Sequence, residues 1–388
     1  MRPFLRVTAV LLLLVLAVPL AFPVHGEALD AATPVTDTTL PTPPNTGASS
    51  AVLLDITGDR FLLLQNADER RPMASTTKIM TALVVLEKSG LDEIVTVPPE
   101  AVGVEGSSIY LFAGEKITVR TLLYALLLSS ANDAAVALAC HTAGSITDFA
   151  AMMNTRAGEM GLTDTHFTNP HGLHDEAHYT TARELALIAK EALQNEMLAE
   201  IVATRRYSAP QLGDEGGTRL FLNHNRLLKS YEGAVGVKTG FTKKSGRCLV
   251  SAARRDGLLL LAVTLNDGGD WQDHKMLYDW GFAHYEGFSP TPPPLSLPVV
   301  GGTANTVSIK PAGTVSLTLS RSHGEITLVT ELPRFLFGGF EDGKVVGRLI
   351  YYMDGKALAT VPLQTAEAVP RATLRRGFFK RLRDVFIK

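Results

Sequence analysis

The sequence predicts a layered α/β (α+β) domain, followed by a small all-β domain and an amphipathic C-terminal helix. Three observations carry this expectation. Strand-like apolar runs lie early (50–66) and late (234–266) in the first part, with helical patterns between them. A proline-rich stretch, SPTPPPLSLP at 289–298, then separates that part from a series of short β runs. The last eighteen residues, 371–388, hold seven basic residues and one acidic residue among regularly spaced Leu and Phe. With 388 residues and 46% apolar content, the chain is long enough for a large core and an appended module.

The elements follow in chain order. Residues 1–26 place Arg2 and Arg6 before an apolar run to about Val18, then Pro19, Pro23 and small residues near Gly26. That is the layout of a secretory signal peptide, and the run is short for a membrane span. The segment 27–48 is rich in Thr, Pro and Ala and reads as a flexible leader. Two apolar runs around Thr57-Gly58-Asp59 read as a hairpin. Ser75 to Lys88 reads as a buried helix ended by Gly90.

Two apolar helical runs follow, broken at Ser129 to Asp133; the first is apolar on every side, as in a central core helix. Thr147 to Met160 reads as helix, and Thr181 with Glu184 forms a capping box for a helix to about Gln194. EGAVGVKTGF and GRCLVSAARRDGLLLLAVTLND read as strands, and Trp271 to Phe282 as a last helix. Early and late strands share one sheet with helices on its faces, over residues 49–288. Beyond the linker, residues 295–365 form the β domain, with Asp354-Gly355 as a hairpin turn.

Charge and cysteine content narrow the function classes. The net charge is −2, but the tail carries +6 and the first 26 residues +2, which leaves −10 on the body. An acidic body argues against general nucleic-acid binding. Cys140 and Cys248 lie in apolar stretches without metal-ligand spacing and read as buried free thiols. The sequence calls for no cofactor and no metal. His171, His174 and His178 fall close together in HGLHDEAH, but the pattern is not that of a zinc helix. GAVGVKTG resembles a phosphate loop, yet Val237 stands where that loop needs glycine.

Three short motifs point to one chemistry. Ser75-x-x-Lys78 puts a nucleophile and a base on one helical face. Ser130-x-Asn132 lies between two helical runs, and Lys238-Thr239-Gly240 lies in a strand. In that order they form the constellation of the penicillin-binding proteins and serine β-lactamases. From about Ser50 to Phe282 the chain resembles the low-molecular-mass D-alanyl-D-alanine carboxypeptidases, on NADERRPMASTTKIMTAL, LLSSANDAAVALA, GLTDTHFTNPHGL and AVGVKTGFTKKSGRCLVSAA. The β domain and basic tail follow that family's layout.

The residues themselves allow an acyl-transfer scheme. Lys78 can deprotonate Ser75 only when neutral, and burial with a second cation, Lys238, lowers its pKa. Ser130 sits between Lys78 and the leaving amine, and Asn132 binds a substrate amide. Lys238 and Thr239 suit a terminal carboxylate, and Gly240 lets a substrate backbone approach. By resemblance, the backbone N–H groups of Ser75 and Phe241 are the oxyanion donors. The resemblance also implies peptidoglycan stem peptides ending in D-Ala-D-Ala and β-lactam antibiotics as ligands.

Two alternatives share this site, a D,D-endopeptidase and a β-lactamase. Against the latter, no E-x-x-L-N pattern for a deacylating Glu occurs between Ser130 and Lys238. An inert wall-binding protein is the third, and it leaves Ser75, Lys78 and Lys238 together without a reason. In the tail, Leu374, Phe378, Leu382 and Phe386 recur every four residues opposite Arg375, Arg376, Lys380 and Arg383. A basic amphipathic helix of this kind suits an anionic membrane surface. The expected location is the outer face of the cytoplasmic membrane, beside the wall.

Overall fold

The computed structural model describes residues 42–210 and 217–373. The signal peptide, most of the leader and all but the first three residues of the tail helix lie outside the described residues. The chain opens with β1 (Ser50–Asp55) and β2 (Arg60–Gln65). A 3₁₀ turn at Ala74–Thr77 leads into α1 (Lys78–Lys88), followed by the short pair β3 (Ile94–Thr96) and β4 (Lys116–Thr118). Helices α2 (Val119–Leu128), α3 (Asn132–Ala143), α4 (Ile146–Glu159), α5 (Ala182–Gln194) and α6 (Glu196–Ala203) come next. The hairpin β5 (Arg206–Pro210) and β6 (Thr218–Leu222) and the single turn α7 (Leu227–Ser230) precede β7 (Ala234–Thr242), β8 (Gly246–Arg255), β9 (Leu258–Leu265) and α8 (Asp270–His284).

The early and late strands join one antiparallel sheet in the order β2-β1-β9-β8-β7. Strand side chains alternate between faces. Val52 and Leu54 of β1, with Leu259, Leu261 and Val263 of β9, therefore enter the core under α1–α6. Leu53, Leu258, Leu260 and Ala262 enter a second core, closed by Leu277, Tyr278 and Phe282 of α8. A strand covered on both faces needs no polar side, which explains the unbroken apolar run at 258–263. In α2 every residue except Arg120 is buried, and the Thr118 side chain caps its N-terminus.

The β domain contains β10 (Tyr285–Phe288), β11 (Leu295–Val300), β12 (Thr306–Pro311), β13 (Leu317–Ser320), β14 (Ile326–Glu331), β15 (Leu336–Phe337), β16 (Val345–Met353) and β17 (Lys356–Thr365). Six of these form a sheet in the order β14-β16-β17-β12-β11-β15, around its own apolar core. Asp354 and Gly355, both at positive φ, make the β16–β17 turn.

Several details differ from the sequence expectations. The helix expected from Ser75 begins at Lys78, because Ala74 sits at φ 49° and a tighter 3₁₀ turn carries Ser75. The last four residues of the proline-rich stretch, 295–298, begin strand β11, whose Leu297 joins the β-domain core. The end of the leader is pinned: the Gly47 N–H donates to Asp273 and Ala48 is buried. The β domain is docked on the first rather than held apart. Thr318 Oγ1 donates to Asp55 Oδ1 at 2.9 Å, and Arg321 pairs with Asp256. Both cysteines are free, but only Cys248 is buried. No helix among the described residues is long and apolar enough to cross a membrane.

Candidate active site

The site lies where the N-terminal turn of α1, the start of α3 and the edge strand β7 meet. A cavity of about 480 Å³ is lined there by Ser75, Ser107, Ser130, Thr239, Gly240 and Phe241, with His224, Arg226, Arg247 and Trp271 also on its wall. In a 3₁₀ turn, side chains three apart eclipse one another. Lys78 Nζ accordingly lies 3.0 Å from Ser75 Oγ. The same amine donates to Asn132 Oδ1 at 2.6 Å and to the His171 carbonyl at 2.6 Å.

Lys78 is fully buried. Burial first, then the charge of Lys238, holds its pKa well below the usual lysine range, and Asp133 opposes the shift. Lys238 is also buried, and burial pulls its pKa down to about 7. Its Nζ donates to the Thr239 carbonyl at 2.9 Å.

Asn132 opens α3 with both ends of its amide committed, Oδ1 to Lys78 and Nδ2 to the Glu105 carbonyl. Ser130, at φ 60°, is buried in the break before α3 and lines the cavity. Asp133, next in sequence, organises the loop above. Its carboxylate accepts from Ser108 Oγ at 2.6 Å and from the Ile109 and Leu111 N–H groups.

Strand β7 is the sheet edge, so one side of its backbone is open toward the cavity. Gly240 has a structural reason beyond substrate access. A Cβ there would lie 3.1 Å from Ser75 N and 3.2 Å from the Met73 carbonyl oxygen, so the glycine lets the strand press on the serine turn. Phe241 follows, two-thirds exposed, at the cavity rim.

The histidine-rich loop packs against the turn that carries Ser75. The Thr168 N–H donates to His178 Nδ1 at 3.0 Å, which leaves the proton on Nε2 to donate to Thr77 Oγ1 at 2.8 Å. The Thr77 hydroxyl in turn donates to the Ala74 carbonyl. Burial lowers the pKa of His178 to about 4; burial and the Lys78 charge lower that of His171 to about 3. Gly172, at φ 87°, packs directly against Ala74. Among the described residues no group of three or more His, Cys, Asp or Glu is placed to hold a metal ion.

The sequence reading missed several residues. Asp133, the His171 carbonyl and the cavity arginines Arg226 and Arg247 were not singled out. Arg247 is held by a bidentate contact with Asp270, at 2.6 and 3.1 Å. Its signal was faint: one arginine nine residues after Lys238, on the neighbouring strand, in register with Phe241.

Residues 37–269 match the family described as D-alanyl-D-alanine carboxypeptidase, and residues 293–371 match the C-terminal domain of penicillin-binding protein 5. The D-alanyl-D-alanine carboxypeptidase DacF of Bacillus subtilis is 31% identical over 340 residues, 84% of this chain and 86% of that protein. Penicillin-binding protein 5 of Haemophilus influenzae superposes with a TM-score of 0.65 at 29% identity, over 85% of this chain and all of that one. The DD-transpeptidase of Streptomyces K15 superposes with a TM-score of 0.60 at 36% identity, over 63% of this chain and all of that one. The fold is thus that of the penicillin-binding proteins and serine β-lactamases, with an all-β domain behind it. Within that class the chain belongs to the D-alanyl-D-alanine carboxypeptidase family. It is a serine-type hydrolase of a family whose members bind penicillin covalently.

Proposed function

We propose that the protein removes the terminal D-alanine from peptidoglycan stem peptides ending in D-alanyl-D-alanine, through an acyl-enzyme on Ser75. The observation that carries the reading is the bonding of Lys78. A neutral amine has two N–H bonds and one lone pair. Two fixed acceptors, Asn132 Oδ1 and the His171 carbonyl, take the two N–H bonds. The lone pair then faces Ser75 Oγ and accepts its proton. The lowered pKa of Lys78 favours that neutral form.

In this scheme the substrate lies along the open edge of β7 as an added strand. Ser75 Oγ attacks the penultimate D-alanine carbonyl as its proton passes to Lys78. The N–H groups of Ser75 and Phe241 receive the developing oxyanion. Ser130 relays the proton to the leaving amine, the C–N bond breaks, and D-alanine departs. Water attacks the ester by the reverse proton path and frees the second product. Lys238, buried within β7, supplies positive charge for the terminal carboxylate, together with Thr239, Arg226 and Arg247 on the cavity wall. β-Lactams enter the same path and stop at the ester.

The reading puts the enzyme at the outer face of the cytoplasmic membrane, held peripherally by the basic tail 371–388. The test is mass spectrometry of muropeptides with the wild type and with Ser75→Ala. Loss of one D-alanine from pentapeptides and fluorescent-penicillin labelling are both expected for the wild type and absent in the variant. Residual turnover above a few per cent in the variant removes Ser75 as nucleophile. Cross-link cleavage without D-alanine release favours the endopeptidase alternative.

A further inference from the structure

We propose that the corner of the β domain carrying Phe335 and Phe337 is a second membrane contact, which inserts into an anionic bilayer beside the tail. This rests on the tail reading above and extends it to the folded domain. Along β15 and the residue before it the side chains alternate: Leu336 is buried in the core, while Phe335 and Phe337 are 44% and 68% exposed. The two rings meet edge to face, with centroids 5.2 Å apart. Val300 stands next to Phe337 in the parallel β11–β15 pairing and is half exposed. Three apolar side chains thus form one patch at the β15 edge of the sheet, with Arg334 next in sequence.

The chain leaves the domain at this corner. The Gly339 N–H donates to the Val369 carbonyl, Arg371 Nε donates to the Gly338 carbonyl, and the Ala372 N–H donates to the Gly301 carbonyl. The backbone that runs into the basic tail is therefore clasped between the segment after Val300 and the segment after Phe337. A tail that lies on a membrane brings this patch to the same surface within a few residues' length. Aromatic rings with basic neighbours suit the headgroup boundary of an anionic bilayer. Of the other exposed large apolar residues of this sheet, Leu328 and Val329 lie on β14 at the opposite edge, and Val345 stands alone at the start of the interior strand β16.

The test uses the full-length chain and vesicles of phosphatidylcholine and phosphatidylglycerol with brominated acyl chains. A Phe337→Trp variant is compared with the wild type, whose Trp271 and Trp280 give the background. Quenching of the added tryptophan is expected. The Phe335→Ser/Phe337→Ser variant, altered only at exposed positions, is expected to bind about tenfold more weakly. Wild-type affinity in that variant, with no quenching at position 337, overturns the inference and leaves the tail reading intact. An added tryptophan that is already blue-shifted without vesicles and unaffected by them also overturns it, since the chain itself then covers the corner. A full-length Phe378→Ser/Phe386→Ser variant that binds like the wild type overturns the tail reading and this inference with it.

Discussion

Replacing Gly172 with alanine drives a methyl group into the turn that carries Ser75. The added carbon would lie 1.9 Å from the Ala74 carbonyl oxygen and 2.4 Å from its carbon, where ordinary contact begins near 3.4 Å. About 1.5 Å of displacement must be absorbed. If the 3₁₀ turn yields, Ser75 moves away from Lys78. If the loop yields, the His171 carbonyl leaves Lys78, and the amine loses one of the two acceptors that orient its lone pair. A misplacement near 1 Å commonly costs about 10²-fold in rate. Positive φ adds strain of about 1–3 kcal/mol for a residue with a side chain. The expected outcome for Gly172→Ala is acylation by fluorescent penicillin slowed about 10²-fold, with a lower melting temperature. Gly144→Ala is the matched control: φ is 83°, but nothing lies within 4 Å of the new methyl. It is expected to lose stability at the end of α3 and to acylate at the wild-type rate. Acylation by Gly172→Ala within twofold of wild type refutes the view that this contact sets the serine–lysine geometry.

Three further outcomes follow from the same geometry. Lys238→Gln removes a charge that depresses the Lys78 pKa, so the acid limb of the acylation–pH profile is expected to move to higher pH; an unmoved limb means the two lysines do not communicate. Asp133→Ala is expected to free the loop at 107–111, seen as faster proteolysis there together with slower acylation; unchanged cleavage counts against Asp133 as its anchor. Burial lowers the pKa values of His171, His178 and His274 to about 3, 4 and 3 from the ordinary 6.5. The stability these groups contribute is present above pH 6.5 and lost as pH falls toward 4, at about 1.4 kcal/mol per pH unit for each proton the unfolded chain binds in excess. Proton uptake on urea unfolding near pH 5 measures it, and uptake below one proton contradicts the assignment.

The sequence by itself determined the two-part architecture, the central core helix, and Ser75, Lys78, Ser130, Asn132 and the Lys238–Phe241 strand as candidates. These were legible because each rests on local pattern: alternation in strands, all-apolar helical runs, the Asp354-Gly355 turn, and short motifs with fixed spacing. Local pattern says nothing about what faces a residue across the fold. Only the tertiary structure decided that the His171 carbonyl, ninety-three residues from Lys78, supplies its second acceptor. The same holds for Gly240, which serves the Ser75 turn, and for Arg247, which β8 brings to the cavity. The hairpin β5–β6 and helix α6 escaped notice because their patterns are short and mixed, and their stability comes from packing on α2 and β7. The low pKa of Lys78 is likewise tertiary. Spacing can place a lysine near a serine, but only burial beneath the sheet edge and beside a second lysine removes the water that keeps it charged.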